Sequence, residues 1–160
     1  GWNGERPTLA DWNAHLTTLF PEARMKRYIE IRSVDSQPPE LMLAVPALVK
    51  GIFYDDDGFL AAWDLVKAWR WEDRQALHAR IRGLELRELA RELVAIAEYG
   101  LDRQRSPNGE SEAMYLEQIH DMVRRGRCPA ERVIEKWIGP WNREPAKLVQ
   151  GLAYHAPDEG

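Results

Sequence analysis

Three polar side chains alternate with isoleucine along one short segment, and their types are the ones best suited to chemistry. The segment Tyr28-Ile29-Glu30-Ile31-Arg32 has the strict two-residue period of a β-strand. In such a strand Tyr28, Glu30 and Arg32 share a face at spacings of about 6.6 Å, while the two isoleucines are expected to bury against helices. A carboxylate can hold Mg²⁺, and a guanidinium can bind a phosphate or a carboxylate in a fork. The same alternation also fits a solvated sheet face with an ordinary Glu–Arg pair.

The other chemistry-bearing residues have simpler structural interpretations. His15 lies near the end of a predicted helix, where it could contact a substrate or pair with the helix dipole. The run Asp55–Asp57 could hold a cation, but carboxylates at this position are more typical of a helix N-terminus. The spacing of the remaining histidines, His78, His120 and His155, does not favour zinc. Cys128 precedes a proline and is expected to cap a helix.

Hydrophobic periodicity predicts a mostly α-helical fold with a minor β element, an α+β arrangement. Thr8 is the predicted N-cap of the first helix, with Asp11 as its capping-box partner. The predicted helices cover Leu9–Phe20, Glu40–Tyr54, Phe59–Lys67, Trp71–Arg82, Leu86–Arg105, Ser111–Gly126, Cys128–Ile138 and Pro145–Tyr154, before a frayed tail. A single strand would leave its backbone groups unpaired. Either a second strand lies in an atypical segment, or the strand pairs with polypeptide outside this chain.

Composition narrows the classes of function. The chain has 160 residues, 44% of them hydrophobic and 30% charged, which is typical of one globular domain with a core, to which seven tryptophans are expected to contribute. A net charge of −4 argues against a nucleic-acid partner, and no apolar run approaches the length of a membrane span. No signal peptide opens the chain, and one cysteine excludes an internal disulfide, so a cytoplasmic protein is expected. The sequence has no glycine-rich phosphate-binding motif with which the chain could bind ATP by itself.

Longer patterns carry a family resemblance. A D-W-x-x-H-L-T-T-[IL]-F-P-E-x-R run extends from Asp11 to Arg24, and a K-R-Y-x-E-x-R strand extends from Lys26 to Arg32. Weaker patterns follow at Ala44–Ala47, Gly51–Asp55, Gly100–Gln104, Cys128–Glu131 and Gly139–Trp141. With these runs the chain resembles the glutamate–cysteine ligase family of plant and proteobacterial type, which includes actinobacterial relatives that serve ergothioneine synthesis.

The resemblance implies an ATP- and Mg²⁺-dependent ligase that forms γ-glutamylcysteine through a γ-glutamyl phosphate. Family enzymes are much longer, so residues 1–160 resemble one C-terminal portion, with a site-bearing part in residues 1–55 and a helical layer in residues 56–160. The N-terminal portion of the ligase would supply most of a larger antiparallel catalytic sheet, to which this chain adds one or two strands. The resemblance implies that Glu30 holds the metal, that Arg32 is catalytic and binds substrate, and that Tyr28 and His15 line the substrate pocket.

Two departures from the family pattern leave the amine substrate open. Plant and proteobacterial members have Gly-Gly-Pro-Trp-Arg-Arg where this chain has Ser36 to Leu41, and the plant redox cysteine falls at Leu43. The Asp35–Pro38 stretch leans toward the actinobacterial relatives. Three hypotheses remain. In the first, the chain is a portion of a ligase for glutamate and cysteine, is inactive alone, and self-associates through an exposed edge. In the second it is a non-catalytic helical interaction module, and in the third it belongs to a ligase that joins glutamate to another amine.

Overall fold

The chain forms two compact units that are rich in helix. The computed structural model describes residue 4, residues 6–79 and residues 84–154. The units are Gly1–Ser36 and Gln37–Gly160, called unit 1 and unit 2 below. Within the described ranges there are eight α-helices and one two-stranded antiparallel sheet, which confirms the predicted fold class. The functional division at residues 55 and 56 stays a prediction.

Unit 1 begins with helix α1, Leu9–Thr18, and its start follows the predicted capping box. The Thr8 amide donates to Asp11 Oδ2 at 2.7 Å, and the Asp11 amide donates to Thr8 Oγ1 at 3.2 Å. The hydrogen bond from the Thr8 hydroxyl is the main cause of a lowered pKa at Asp11. The helix ends three residues before Pro21, which cannot continue it.

A short hairpin of two strands, β1 at Ala23–Met25 and β2 at Ile29–Ile31, completes unit 1. Strand β1 lies in a segment for which no strand was predicted, so the first of the two alternatives for the lone strand holds. Arg24 lies opposite Glu30 in the register. Arg32 N donates to Glu22 O at 2.8 Å, which makes Arg24 and Glu30 a hydrogen-bonded pair. The backbone groups of Ile29 and Ile31 therefore point to the open edge of β2.

Burial of the two isoleucines was predicted wrongly. Ile29 is 60% exposed and Ile31 is 38% exposed, because nothing in the described part of unit 1 covers that side of the hairpin.

The prediction that the tryptophans contribute to the core also fails in part. None of the tryptophans in the described ranges is fully buried, and Trp12, Trp63 and Trp71 are more than half exposed. An apolar surface of this kind is typical of polypeptide that another surface covers.

Unit 2 contains the remaining helices. They are α2 at Ala44–Phe53, α3 at Asp56–Val66, α4 at Trp71–Ala79, α5 at Leu84–Arg103, α6 at Glu117–Arg125, α7 at Pro129–Ile138 and α8 at Pro145–Leu152. Short 3₁₀ turns precede α2 at Pro39–Leu41 and α6 at Glu112–Leu116. The predicted end of α4 near Gly83 and the predicted frayed tail lie outside the described residues. No helix in the described ranges is long and apolar enough to cross a membrane.

The core of unit 2 forms where α2 crosses α5. Its buried members are Ala47, Val94, Ala97, Leu101 and Leu116. Three of them, Val94, Ala97 and Leu101, lie on α5, whereas Tyr99 of the same helix is 56% exposed. The buried face of α5 therefore includes the small residue Ala97, where α2 can approach closely.

Three glycines make that approach possible. A Cβ atom at Gly51 would overlap the carbonyl oxygen of Ala97 and come within 2.7 Å of its carbon. A Cβ atom at Gly100 would overlap the carbonyl oxygen of Gly51 in the same way, and one at Gly58 would lie 2.9 Å from that oxygen. These contacts are with backbone, which cannot rotate away as a side chain can.

Arg87, on α5, caps the C-terminal end of the neighbouring helix α6. Arg87 Nε donates to the carbonyl oxygen of Val123 at 2.8 Å, and Arg87 Nη2 donates to that of Arg124. Both carbonyls belong to the last turn of α6, where the helix leaves acceptors unpaired and concentrates partial negative charge. The left-handed C-cap Gly126, with φ of 62°, follows directly.

We expect Arg87→Gln to lower the free energy of unfolding by about 2 kcal/mol, because two carbonyls lose a charged donor. Arg91→Gln on the same helix is the matched control, since Arg91 pairs only with exposed Glu88 in the described contacts and is expected to contribute about 0.5 kcal/mol or less. Urea denaturation of both variants measures the difference. Equal losses in the two variants would contradict the capping role of Arg87.

Candidate functional site

A cluster of three charged side chains lies on one face of the hairpin, and Glu30 is its centre. Arg24 donates to Glu30 Oε2 from Nε at 3.0 Å and from Nη2 at 2.7 Å. Arg32 donates from Nη1 to Glu30 Oε1 at 2.7 Å. The hairpin register brings Arg24 across from Glu30, and the two-residue period of β2 brings Arg32 to the same face. Both oxygens of the carboxylate thus accept from guanidinium groups.

Each arginine of the cluster has a further contact within unit 1. Arg24 Nη1 donates to the carbonyl oxygen of Thr17 at 3.4 Å, in the last turn of α1. Arg32 lies over the ring of Phe20, with Cζ 4.8 Å from the ring centroid, a cation–π geometry. The cluster therefore joins the end of α1, the segment after it, and both strands.

The Arg24–Glu30 pair is the most enclosed part of unit 1. These two residues are the only ones in the described part of that unit that are not exposed, with side chains 15% and 28% accessible. The hydrogen bond from Arg24 holds the pKa of Glu30 below its ordinary value, and the charges of both arginines act in the same direction against partial desolvation. A lowered folded-state pKa means that the stabilisation is present above the ordinary carboxyl range and is lost as pH falls through the lowered value.

The structure brings together two of the four predicted site residues. Glu30 and Arg32 are in contact, as the strand face predicted. Tyr28 lies in the hairpin turn rather than in the strand, is 63% exposed, and accepts a hydrogen bond at its carbonyl from the Lys26 amide. His15 is exposed on α1 with its ring centroid 5.8 Å from that of Trp12. No contact in the described part of unit 1 joins Tyr28 or His15 to the cluster, and their pocket roles stay predictions.

Arg24 is the member of the cluster that sequence reasoning missed. In the sequence it was noted only as the last residue of the run from Asp11 to Arg24. A signal was available, because Arg24 lies between the apolar residues Ala23 and Met25, which is the alternation of a second strand. The register that aligns it with Glu30 comes from the turn between the strands.

The aspartate run near α3 has a structural role. Asp55 caps α3, with Oδ1 accepting from the Gly58 amide at 2.9 Å, and it is only 8% exposed. Arg103 donates to Asp55 Oδ2 from Nε at 3.0 Å and to Asp57 Oδ2 from Nη1 at 2.7 Å. Two family patterns, Gly51–Asp55 and Gly100–Gln104, thus meet in one contact between helices. Cys128 is the N-cap of α7, as predicted, and its amide donates to Glu131 Oε2 at 3.0 Å.

The charge of the hairpin cluster suits an anion better than a cation held by this chain alone. Two guanidiniums and one carboxylate leave a net charge of about +1. No group of three His, Cys, Asp or Glu side chains that could hold a metal occurs among the residues that the structure describes. A Mg²⁺ ion at Glu30 would therefore need other ligands, and Mg²⁺ bound with nucleotides commonly uses phosphates, water and one or two carboxylates.

Comparison with known proteins agrees with the resemblance in the sequence. Residues 3–150 match the model of glutamate-cysteine ligase family 2 (GCS2). The chloroplastic glutamate–cysteine ligases of Nicotiana tabacum and Arabidopsis thaliana are each 36% identical over 160 residues, 94% of this chain. The enzyme of Medicago truncatula is also 36% identical. The chain spans 30% of the length of the tobacco and Arabidopsis proteins and 31% of the Medicago protein.

Proposed function

The chain belongs to glutamate–cysteine ligase family 2, and we propose that it is the C-terminal portion of an ATP-dependent ligase that joins glutamate to cysteine. In this proposal an N-terminal portion of the same enzyme completes the site, and this chain is inactive without it. The observation that carries the proposal is the Arg24–Glu30–Arg32 cluster, a hydrogen-bonded group of net positive charge on a hairpin whose Ile29 and Ile31 side chains are exposed. A further strand could pair with the backbone of Ile29 and Ile31 at that edge.

Arg32 is the residue we assign to the reacting anion. In the described contacts, one of its five N–H groups donates to Glu30, so a pair of the others can still form a bidentate contact with a phosphate or a carboxylate. Its cation–π contact with the Phe20 ring restrains the guanidinium before substrate arrives. A fixed cation that meets charge as it develops lowers a barrier more than a mobile one, because no reorganisation is needed.

Glu30 is the residue we assign to Mg²⁺, with ATP phosphates, water and carboxylates of the N-terminal portion as the other ligands. Bound Mg·ATP would supply the γ-phosphoryl group that activates the glutamate γ-carboxylate. ADP leaves in that step, and the amine then displaces phosphate from the acyl carbon to form the amide. Arg32 would neutralise the transferring phosphoryl group in both steps. Tyr28 and His15 are proposed to contact substrate on the exposed side of unit 1.

Release of ADP tests the proposal. The purified chain with Mg·ATP, glutamate and cysteine is expected to release no ADP, and addition of the N-terminal portion is expected to restore release and yield γ-glutamylcysteine. Turnover by the chain alone that vanishes in Glu30→Gln would overturn the divided site in favour of a small complete ligase. Absence of ADP release with both portions present would overturn the ligase assignment and favour a helical interaction module.

A different amine substrate is the second candidate, and one contact favours it. Leu41 stands where the family pattern of plant and proteobacterial type has its second arginine, and Leu41 is only 6% exposed, at the end of the 3₁₀ turn Pro39–Leu41. An apolar side chain buried in unit 2 cannot offer that arginine's charge to a substrate. ADP release across a panel of amines separates the two candidates, since a ligase for another amine would respond to that amine and not to cysteine.

A further inference from the structure

We propose that Arg24 is a positioning residue, which fixes the Glu30 carboxylate for its role in the site and does not itself bind substrate. The inference rests on the proposed function of Glu30. The geometry supports it, because Arg24 lies directly opposite Glu30 in the strand register and reaches one carboxylate oxygen with two nitrogens, at 3.0 and 2.7 Å.

The use of hydrogen-bond donors separates the two arginines. Arg24 donates from all three nitrogens to protein acceptors, two to Glu30 and one to the carbonyl of Thr17. Arg32 donates from Nη1 alone in the described contacts. A guanidinium whose three nitrogens are all engaged has its orientation set by the protein, whereas one with a single engaged nitrogen has most of its fork available. Arg24 is therefore suited to orienting the Glu30 carboxylate, and Arg32 is suited to binding a substrate anion.

The solvent accessibility of the two arginine side chains supports the same roles, positioning for Arg24 and substrate binding for Arg32. The Arg24 side chain is 15% accessible, about half the value for Arg32 at 29%, in a unit where nearly everything else described is exposed. An ion pair that is partly enclosed keeps more of its strength than a solvated surface pair. Two donors on Oε2 and one on Oε1 use three of the about four acceptor sites of the carboxylate. By engaging Oε2, Arg24 limits rotation of the carboxylate and keeps the remaining site on Oε1 in one orientation. Groups that orient a ligand in this way typically change metal affinity or activity 10–100-fold when they are removed.

A double-mutant cycle in the complete ligase, this chain with its N-terminal portion, tests the inference. Arg24→Gln is expected to lower kcat about 10–100-fold while the KM for glutamate changes by about threefold or less. In the Glu30→Gln background the same substitution is expected to cost almost nothing further, since the carboxylate that it positions is gone. Arg24→Lys, which keeps the charge and one donor, is expected to recover part of the loss.

Binding of Mn²⁺ in the presence of a non-hydrolysable ATP analogue gives a readout independent of turnover. Electron paramagnetic resonance is expected to show about tenfold weaker Mn²⁺ binding in Arg24→Gln and unchanged binding in Arg6→Gln, an exposed arginine ahead of α1. Equal losses from Arg24→Gln in both Glu30 backgrounds, or Mn²⁺ binding that does not change, would overturn the positioning role. Absence of glutamate-dependent ADP release from the unsubstituted ligase would overturn the proposed function instead.

Discussion

Arg32→Ala in the complete ligase is expected to lower kcat for glutamate-dependent ADP release about 10²–10³-fold, the usual loss when one fixed donor to a developing oxyanion is removed. Arg32→Lys is expected to fall between the alanine variant and the unsubstituted enzyme. Lysine keeps the positive charge but loses the planar fork and the stacking on Phe20 at 4.8 Å. Steady-state kinetics with Mg·ATP, glutamate and cysteine measure both variants.

The hairpin itself should survive these changes, because Arg24 still holds Glu30 in both. Arg6→Gln is the matched control, since it removes an exposed arginine of the same unit and should leave kcat within about twofold of the unsubstituted value. Circular dichroism and thermal unfolding should give similar curves for all three variants. A kcat for Arg32→Ala close to that of the control would contradict the assignment of Arg32 to the reacting anion.

Gly100→Ala is expected to destabilise unit 2 by about 3 kcal/mol, although alanine is ordinarily the better helix former. The added Cβ would overlap the carbonyl oxygen of Gly51 and lie 3.0 Å from its carbon and 3.2 Å from Asp55 Cβ. Because two of these three atoms are backbone, α2 and α5 must separate to relieve the overlap. Separation would also loosen the buried contacts of Ala47 and Ala97. Urea denaturation of the purified chain measures the loss.

Ala95→Gly provides the comparison, because Ala95 is exposed on the same helix and reports helix propensity alone. It is expected to cost about 1 kcal/mol. Propensity acting alone would make Gly100→Ala more stable by a similar amount, so the two effects predict opposite signs at position 100. An unchanged or raised denaturation midpoint for Gly100→Ala would contradict the close approach of the two helices. Gly51→Ala should behave like Gly100→Ala, since its Cβ meets the backbone of Ala97.

Local sequence signals predicted three helix caps, although α2 and α3 begin at Ala44 and Asp56 and not at the predicted Glu40 and Phe59. Thr8 with Asp11, Asp55 before α3, and Cys128 before Pro129 all cap helices in the structure, because each contact spans only three residues. Two of the three residues in the charge cluster were predictable for the same reason. Glu30 and Arg32 are two residues apart in a strand, and the strand period alone brings them to one face.

Contacts that depend on register or on tertiary packing were not predictable. Arg24 meets Glu30 only if the hairpin turns between Met25 and Ile29, and a one-residue slip would put it on the opposite face. The approach of Gly51 to Gly100 depends on how two distant helices cross, which periodicity does not encode. The exposure of Ile29 and Ile31 has a simpler cause, since an apolar pattern predicts that a face is covered but does not say by which polypeptide.

The hairpin that carries the charge cluster also determines how the cluster assembles. Arg24 and Glu30 are only six positions apart, so the loop that their contact closes is short. Hairpins of this size form in about 1–10 μs, well before most long-range contacts. The cluster and its contacts with Thr17 and Phe20 thus lie within the contiguous run from Thr17 to Arg32, and no distant segment is needed for its geometry. A gene split outside that run would still deliver the complete arginine–carboxylate group on one polypeptide.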